Sequence, residues 1–188
     1  RLGDRVLVAT GRRPRLPAGV DAVEVDARMR AGERLWAVGD VTGVWPLTYV
    51  GKYQARIAAA NILGGDREAR YDAVPRVVFT DPQAAAVGAA EGAVTSTVPL
   101  SAVPRTATYT REYDTQPGFL TLVSDGERVT GAYAVGPEAG EWLQQATLAI
   151  RARVPLAVLR DTIQPFPTFS EVYVEALAGL EARVPARA

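Results

Sequence analysis

The stretch GFLTLVSDGERVTGAYAVG, residues 118–136, decides the fold of the second half of the chain. Two runs rich in apolar and β-branched residues, 119–123 and 129–135, flank the pair Asp125-Gly126. An Asp-Gly pair between such runs is typical of a tight hairpin turn, because both residues tolerate positive φ. We therefore predict an antiparallel hairpin here, and an antiparallel sheet around it.

Patterned segments on both sides of the hairpin extend this prediction. Further strands are expected at 77–79 and 94–100, and helices at 138–150, 156–160 and 170–180. Strands followed by helices in this order indicate an α+β arrangement, with an antiparallel sheet covered by helices on one side.

The first half of the chain has a different pattern. Residues 6–9 are an apolar run typical of a buried parallel strand, and a second short run at 34–38 ends at Gly39-Asp40. A loop then leads to a helix whose apolar residues recur at helical spacing, namely Tyr53, Ile57, Ala60 and Leu63. This pattern is typical of part of an α/β domain.

Charged residues, Gly and Pro cluster over residues 64–75, between the two patterned regions. Such a cluster favours a domain boundary. We predict two domains, residues 1–70 and 71–188. Because the apolar run 6–9 begins almost at the first residue and no Met precedes it, we expect the chain to be the C-terminal part of a longer protein.

The composition limits what the chain does by itself. Of its 188 residues 48% are hydrophobic, and 21 Lys and Arg balance 21 Asp and Glu. Balanced charge argues against nucleic acid or a membrane surface as a partner. No apolar run approaches the roughly 20 residues of a membrane helix, and no signal peptide is recognisable, so we expect a cytoplasmic protein.

The chain contains no Cys and no His. It therefore supplies no thiolate nucleophile and no imidazole base, and we expect no metal site within it. Acid/base chemistry would have to come from carboxylates, tyrosines or Lys52, the only lysine.

Gly39-Asp40 and the loop that follows are the first candidate site. In open α/β folds ligands bind beyond the carboxyl ends of strands, where an Asp accepts hydrogen bonds from ligand hydroxyls. The loop also leads to a helix N-terminus, whose N–H groups suit an electron-rich ligand atom. The alternative is a structural Gly-Asp turn in which Asp40 bonds only to nearby backbone.

Three segments of the first half, in order, resemble a known domain: VLVATGRRP (6–14), RLWAVGDVTG (34–43) and PLTYVGKYQARIAAANILGG (46–65). They are similar to the closing part of the FAD domain of the pyridine nucleotide-disulfide oxidoreductases, a family that includes dihydrolipoamide dehydrogenase and mercuric reductase. Three segments of the second half resemble that family's C-terminal dimerisation domain: VPRVVFTDPQAAAVG (74–88), GFLTLVSDGERVTGAYAVGPEAGEWLQQATLAI (118–150) and PFPTFSE (165–171).

This resemblance implies a fold and a cofactor. Residues 1–70 would be the tail of a Rossmann-like α/β FAD domain, and residues 71–188 an antiparallel-sheet dimerisation domain that forms a homodimer. Asp40 matches the acid that hydrogen-bonds the ribityl chain of FAD, and Gly39 the residue that lets the backbone approach it. The segment Leu47-Thr48-Tyr49 matches the loop and helix start that face the pyrimidine edge of the flavin.

The resemblance also raises a question about the end of the chain. Aligned on Pro167 and Glu171, Gln164 and Phe166 stand where many family members have two histidines. The histidine next to that proline acts as acid/base toward the thiol/disulfide pair of the partner subunit, and the Glu orients it. Phe166 carries no proton, so a catalytic role for Glu171 loses its partner. The alternative for Glu171 is a capping box with Thr168 at a helix start.

The function implied is that of a full-length parent in which electrons pass from NAD(P)H through FAD to a disulfide, quinone or metal acceptor. The substitution at Phe166 shifts the expectation away from a disulfide. The chain lacks the Gly-x-Gly-x-x-Gly loop that binds the FAD pyrophosphate, so alone we expect it to bind FAD weakly or not at all and to be inactive. The alternative is a non-catalytic module that only self-associates.

Overall fold

The computed structural model describes residues 5–109 and 118–183. The contacts between residues group the chain into two compact units, Arg1–Arg70 and Tyr71–Ala188. Each unit has its own cluster of buried apolar side chains.

A short strand pair and one long helix make up the first unit. Strand β1 (Arg30–Gly32) pairs antiparallel with β2 (Leu35–Trp36), and helix α1 spans Thr48–Ile62. Met29, Ile57 and Ala58 form the buried centre. The predicted helix is confirmed, although Leu63 lies one residue beyond its end and is exposed.

The prediction of a buried strand over residues 6–9 is wrong for this chain. Val6, Leu7 and Val8 are 88%, 90% and 75% exposed and are not part of a strand. A parallel strand is buried only where neighbouring strands and helices cover it. Among the described residues of this unit, the only strands are the short β1 and β2, which pair with each other.

Five antiparallel strands form the sheet of the second unit. They are β3 (Arg76–Val78), β4 (Gln83–Gly88), β5 (Val94–Pro99), β6 (Phe119–Ser124) and β7 (Val129–Gly136). Their order across the sheet is β3-β4-β7-β6-β5. The predicted hairpin is confirmed as β6 and β7, and the strands predicted near residues 77 and 94 are confirmed as β3 and β5.

Polar contacts hold the hairpin turn. Oδ1 of Asp125 accepts hydrogen bonds from the backbone N–H groups of Glu127 and Arg128, both at 2.8 Å. Partial burial acts to raise the pKa of Asp125, but these hydrogen bonds outweigh it and the pKa is lowered. Gly126 has φ of +99°, a conformation that favours glycine.

Strand β4 was not predicted, because its sequence QAAAVG is rich in alanine, which has a low strand propensity. Its position between β3 and β7 supplies backbone hydrogen bonds on both edges. Ala85 and Val87 are buried in the core. Long-range pairing therefore makes this segment a strand.

Helices cover one face of the sheet, as predicted. The helices that pack against strands are α3 (Ala139–Trp142), α4 (Gln144–Ala152) and α6 (Val172–Glu181), while α5 (Leu156–Arg160) packs on α6. Helix α2 (Pro104–Tyr109) lies between β5 and β6 in the chain. The helix predicted over 138–150 is divided at Leu143 and begins after Glu138, whose φ is +54°. The buried face of the sheet presents small and aliphatic side chains to the helices: Ala85, Val87, Leu120, Leu122, Ala132 and Ala134.

A buried pair joins α3 to α6. The hydroxyl of Tyr173 donates a 3.2 Å hydrogen bond to the carbonyl oxygen of Trp142, and the indole N–H of Trp142 donates to Pro137 at 2.8 Å. Burial raises the pKa of the Tyr173 hydroxyl well above its usual value of 10.0. The hydroxyl therefore keeps its proton and remains a hydrogen-bond donor throughout the physiological pH range.

Candidate functional site

The Gly39-Asp40 turn has a conformation that only glycine adopts readily. Gly39 lies at φ 81° and ψ −157°, and Asp40–Thr42 form a single 3-10 turn that ends at Gly43 with φ 68°. Oγ1 of Thr42 donates a 2.8 Å hydrogen bond to the Gly39 carbonyl oxygen and closes the turn. This turn leaves the Asp40 side chain 53% exposed.

Arg12 connects Asp40 to the loop before α1. Its Nη1 lies 3.7 Å from Oδ2 of Asp40, and its Nη2 donates a 2.7 Å hydrogen bond to the carbonyl oxygen of Pro46. Both partners of the ion pair are largely exposed, so it contributes little to stability. Its geometric effect is to bring the two ends of the loop together.

The N-terminus of α1 has no polar cap of its own. Leu47 is the N-cap residue, with extended backbone angles and no side-chain acceptor, and the first turn contains no acidic residue. The first N–H groups of a helix have no carbonyl partner within it and carry the positive end of the helix dipole. Thr48 and Tyr49 are exposed at this end, which therefore suits an electron-rich ligand atom.

Gln54 is a residue that the sequence analysis missed. Its side chain is fully buried in the first unit, where Oε1 accepts a 2.7 Å hydrogen bond from the backbone N–H of Gly39. Nε2 donates at 3.4 Å to the carbonyl oxygen of Val44. The available signal was a polar residue on the buried stripe of α1, between Val50 and Ile57.

The structure thus places all five predicted cofactor-binding residues in the first unit. Gly39 and Asp40 begin the loop, and Leu47, Thr48 and Tyr49 form the helix start that ends it. Their role toward a cofactor stays a prediction.

The end of the second unit contains the terminal motif. Phe166 is 72% exposed, whereas Phe169 is buried in the core. Thr168 and Glu171 form the predicted capping box, in which the Glu171 carboxylate accepts a hydrogen bond from the Thr168 N–H at 3.2 Å. The structural role of Glu171 is confirmed, while a catalytic role stays a prediction.

Residues 5–109 and 118–183 contain no group of three or more acidic side chains arranged to hold a metal ion. Within the same ranges, no helix combines the length and the apolar character needed to cross a membrane.

The two units together define a class of protein: an antiparallel five-stranded sheet with helices on one face, preceded by the loop and helix of an α/β domain. Residues 74–177 match the family model described as the pyridine nucleotide-disulphide oxidoreductase dimerisation domain. The chain belongs to this family.

Curated relatives agree with this assignment. The chain is 35% identical over 195 aligned residues to the dihydrolipoyl dehydrogenase of Chlamydia trachomatis, covering 92% of this chain and 41% of that protein. It is 38% identical over 192 aligned residues to the mercuric reductase of Shigella flexneri, covering 89% of this chain and 33% of that protein. The chain therefore spans about two fifths of the length of such relatives, or less.

Solved structures show the same fold. LpdA of Mycobacterium tuberculosis superposes with a TM-score of 0.73 at 29% identity, over 84% of this chain and 36% of that one. The HOCl-induced flavoprotein disulfide reductase RclA of Escherichia coli gives a TM-score of 0.73 at 27% identity, over 94% of this chain and 44% of that one.

Proposed function

We propose that this chain is the C-terminal part of an FAD-dependent oxidoreductase, in which electrons pass from NAD(P)H through FAD to a disulfide, quinone or metal acceptor. One observation carries the proposal: in a chain of this family, an exposed carboxylate and the N-terminus of a 15-residue helix stand at the two ends of one loop.

The residues of this loop fit a flavin cofactor. The ribityl chain of FAD offers hydroxyl donors, which suit the Asp40 carboxylate, and the ring offers electron-rich atoms, which suit the N–H groups from Leu47 to Tyr49. FAD supplies the electron-transfer chemistry when bound. The dipole of α1 would stabilise negative charge that develops on the ring during reduction.

Other parts of the cofactor would be bound outside this chain. The sequence has no Gly-x-Gly-x-x-Gly loop for the FAD pyrophosphate and no cysteine for a redox-active disulfide. We infer that these groups and the NAD(P)H site belong to a preceding segment of the full-length protein, and that the chain alone binds FAD weakly or not at all.

The phenylalanine at position 166 affects which kind of electron acceptor the full-length protein would use. A disulfide acceptor needs a proton donor and acceptor beside the thiols, which a phenylalanine cannot provide. A quinone or a metal ion does not need that residue, and we propose one of these as the acceptor. One relative is named a mercuric reductase, and RclA, which is named a flavoprotein disulfide reductase, was solved as a Cu(II) complex.

A second candidate is a non-catalytic module that only self-associates. Large apolar side chains exposed on the second unit favour self-association: Leu148, Val158, Ile163, Phe166 and Val174. The dimerisation domain of the family points to a homodimer. This property is common to both candidates, so the upstream coding sequence discriminates between them: a phosphate-binding glycine loop supports the enzyme, and a start codon directly before Arg1 supports the module.

The experiment is to express the complete gene, purify the product and measure NAD(P)H oxidation with a soluble quinone, Hg²⁺ or Cu²⁺, and lipoamide as separate acceptors. We expect a flavin-containing protein that is fastest with a quinone or a metal ion. Rapid turnover of lipoamide would contradict the acceptor assignment, and a product without flavin would contradict the enzyme.

A further inference from the structure

One buried side chain connects the beginning of the candidate cofactor loop to its later part. The Gln54 amide accepts from the N–H of Gly39, the residue before Asp40, and donates to the carbonyl oxygen of Val44. Val44 stands three residues before Leu47. A single amide thus fixes the beginning and the later part of the loop to helix α1.

The surface of α1 also allows the loop to approach closely beside Gln54. A side-chain Cβ on Gly51, one turn before Gln54, would lie 3.3 Å from Cα of Gly39, tighter than most van der Waals contacts. Glycine at this position allows the loop to approach the helix closely enough for the 2.7 Å hydrogen bond to Gln54. The loop therefore packs closely on α1 at two successive turns of the helix, at Gly51 and at Gln54.

The chemistry of an amide suits the position. One end of the side chain has to provide an acceptor for Gly39 and a donor for Val44, and glutamine has both. A carboxylate retains the acceptor and loses the donor, whereas methionine has a similar length, no donor and only a weak acceptor in its thioether sulfur. Because the site is fully buried, water does not replace a missing partner without cost.

We propose that Gln54 is a positioning residue of the cofactor site, which sets the Asp40 carboxylate and the N-terminus of α1 in the relative orientation that the flavin requires. This inference rests on the proposed FAD function. Asp40 contacts the ligand, and Gln54 acts through the loop backbone. The hydrogen bonds of Gln54 would thus control the affinity for FAD and the environment of the bound ring.

Gln83 offers a matched control. Its Oε1 accepts a 3.0 Å hydrogen bond from the backbone N–H of Gly140 in the second unit, the same kind of glutamine-to-glycine contact. Gln83→Met removes that contact without touching the proposed loop. Comparing it with Gln54→Met separates a general loss of stability from an effect on the cofactor site.

The test measures FAD dissociation constants and the visible absorption spectrum of the bound flavin for the complete gene product and its variants. We expect Gln54→Met to weaken FAD binding at least tenfold, about 1.4 kcal/mol, and to shift the spectrum at saturating FAD. Gln83→Met should bind FAD within about twofold of the wild type with an unchanged spectrum.

A second readout needs no cofactor. In the 188-residue chain, the amide hydrogen of Gly39 should exchange faster in Gln54→Met than in the wild type, while the amides within α1 stay protected and show that the unit is folded. Gln54→Leu, which is also uncharged and removes both hydrogen bonds, serves where Gln54→Met does not fold.

Three results would overturn the inference. If Gly39 exchanges faster in Gln54→Met but FAD affinity and spectrum match those of the wild type, or if Gln83→Met weakens FAD as much, Gln54 does not position the site and the proposed function stands. If the wild-type gene product itself binds no FAD, the proposed function fails and this inference fails with it.

Discussion

The carboxylate of Glu171 accepts a 3.2 Å hydrogen bond from the backbone N–H of Thr168, and so caps the turn that leads into α6. In the family motif this position would orient a catalytic histidine. Here the residue at that histidine position is Phe166, so the cap is the role that the contacts of Glu171 support.

We therefore expect Glu171→Ala to lower the free energy of unfolding of the second unit by about 1 kcal/mol. Glu171→Gln should retain nearly all of it, because a capping box accepts glutamine in place of glutamate. Urea unfolding followed by circular dichroism measures both. A loss in Glu171→Gln as large as in Glu171→Ala would indicate that the charge, and not the cap, matters.

Phe166→His tests the acceptor assignment. In the complete gene product, a histidine beside Pro167 would supply an acid/base group where the wild type has none, so lipoamide-dependent turnover should rise while quinone-dependent turnover changes little. Phe79→His is the control, since Phe79 is exposed to a similar degree in the same unit. Unchanged lipoamide turnover in Phe166→His would refute the role assigned to this position.

Asp40→Asn tests the cofactor site directly. Loss of the charged acceptor should weaken FAD binding to the complete gene product about tenfold or more, because hydrogen bonds to charged groups are worth roughly 1.5–3 kcal/mol. Asp66→Asn removes another exposed carboxylate of the same unit, one whose pKa is lowered by its hydrogen bond to Arg28. Equal FAD affinity in the two variants would argue that Asp40 does not contact the cofactor.

Because Tyr173 is buried, we expect the stability of the folded chain to depend on pH under alkaline conditions. Its pKa is raised in the folded chain by burial, so the folded state keeps a proton that the unfolded state releases above about pH 10. The stability that this group contributes is complete below the unfolded pKa and falls as the pH rises beyond it, by up to about 1.4 kcal/mol per pH unit.

Tyr173→Phe should remove this part of the dependence of stability on pH. At neutral pH it should lower the free energy of unfolding by about 1 kcal/mol, because the hydrogen bond to Trp142 is lost. Urea unfolding at about pH 9 and about pH 11 measures both effects. Parallel slopes for wild type and variant would show that the hydroxyl reaches solvent in the folded state.

Local signals made much of the second unit predictable. The Asp125-Gly126 turn specifies its hairpin through contacts among neighbouring residues, and α5 lies where its pattern placed it. Strand β4 depends instead on pairing with β3 and β7. Alanine-rich sequence carries little information about such long-range pairing.

The sequence likewise predicted some residues of the candidate site and not others. Gly39, Asp40 and the start of α1 were predicted as a site because Gly-Asp follows a short apolar run and precedes a helix, and because their order along the chain resembles a family motif. Gln54 was missed because its two partners lie 15 and 10 residues away, and a polar residue on a buried helix stripe does not reveal what it binds. The apolar run at 6–9 has a strand-like sequence, but burial depends on neighbours that the described residues of the unit do not supply.

The most direct test of the central claim is gel filtration of the complete gene product, recorded at protein and flavin absorption wavelengths together, with NAD(P)H added to the peak under anaerobic conditions. We expect a yellow peak of dimer size with one FAD per subunit, which loses its colour on addition of NAD(P)H. A colourless dimer would contradict it and would leave a chain whose role is self-association.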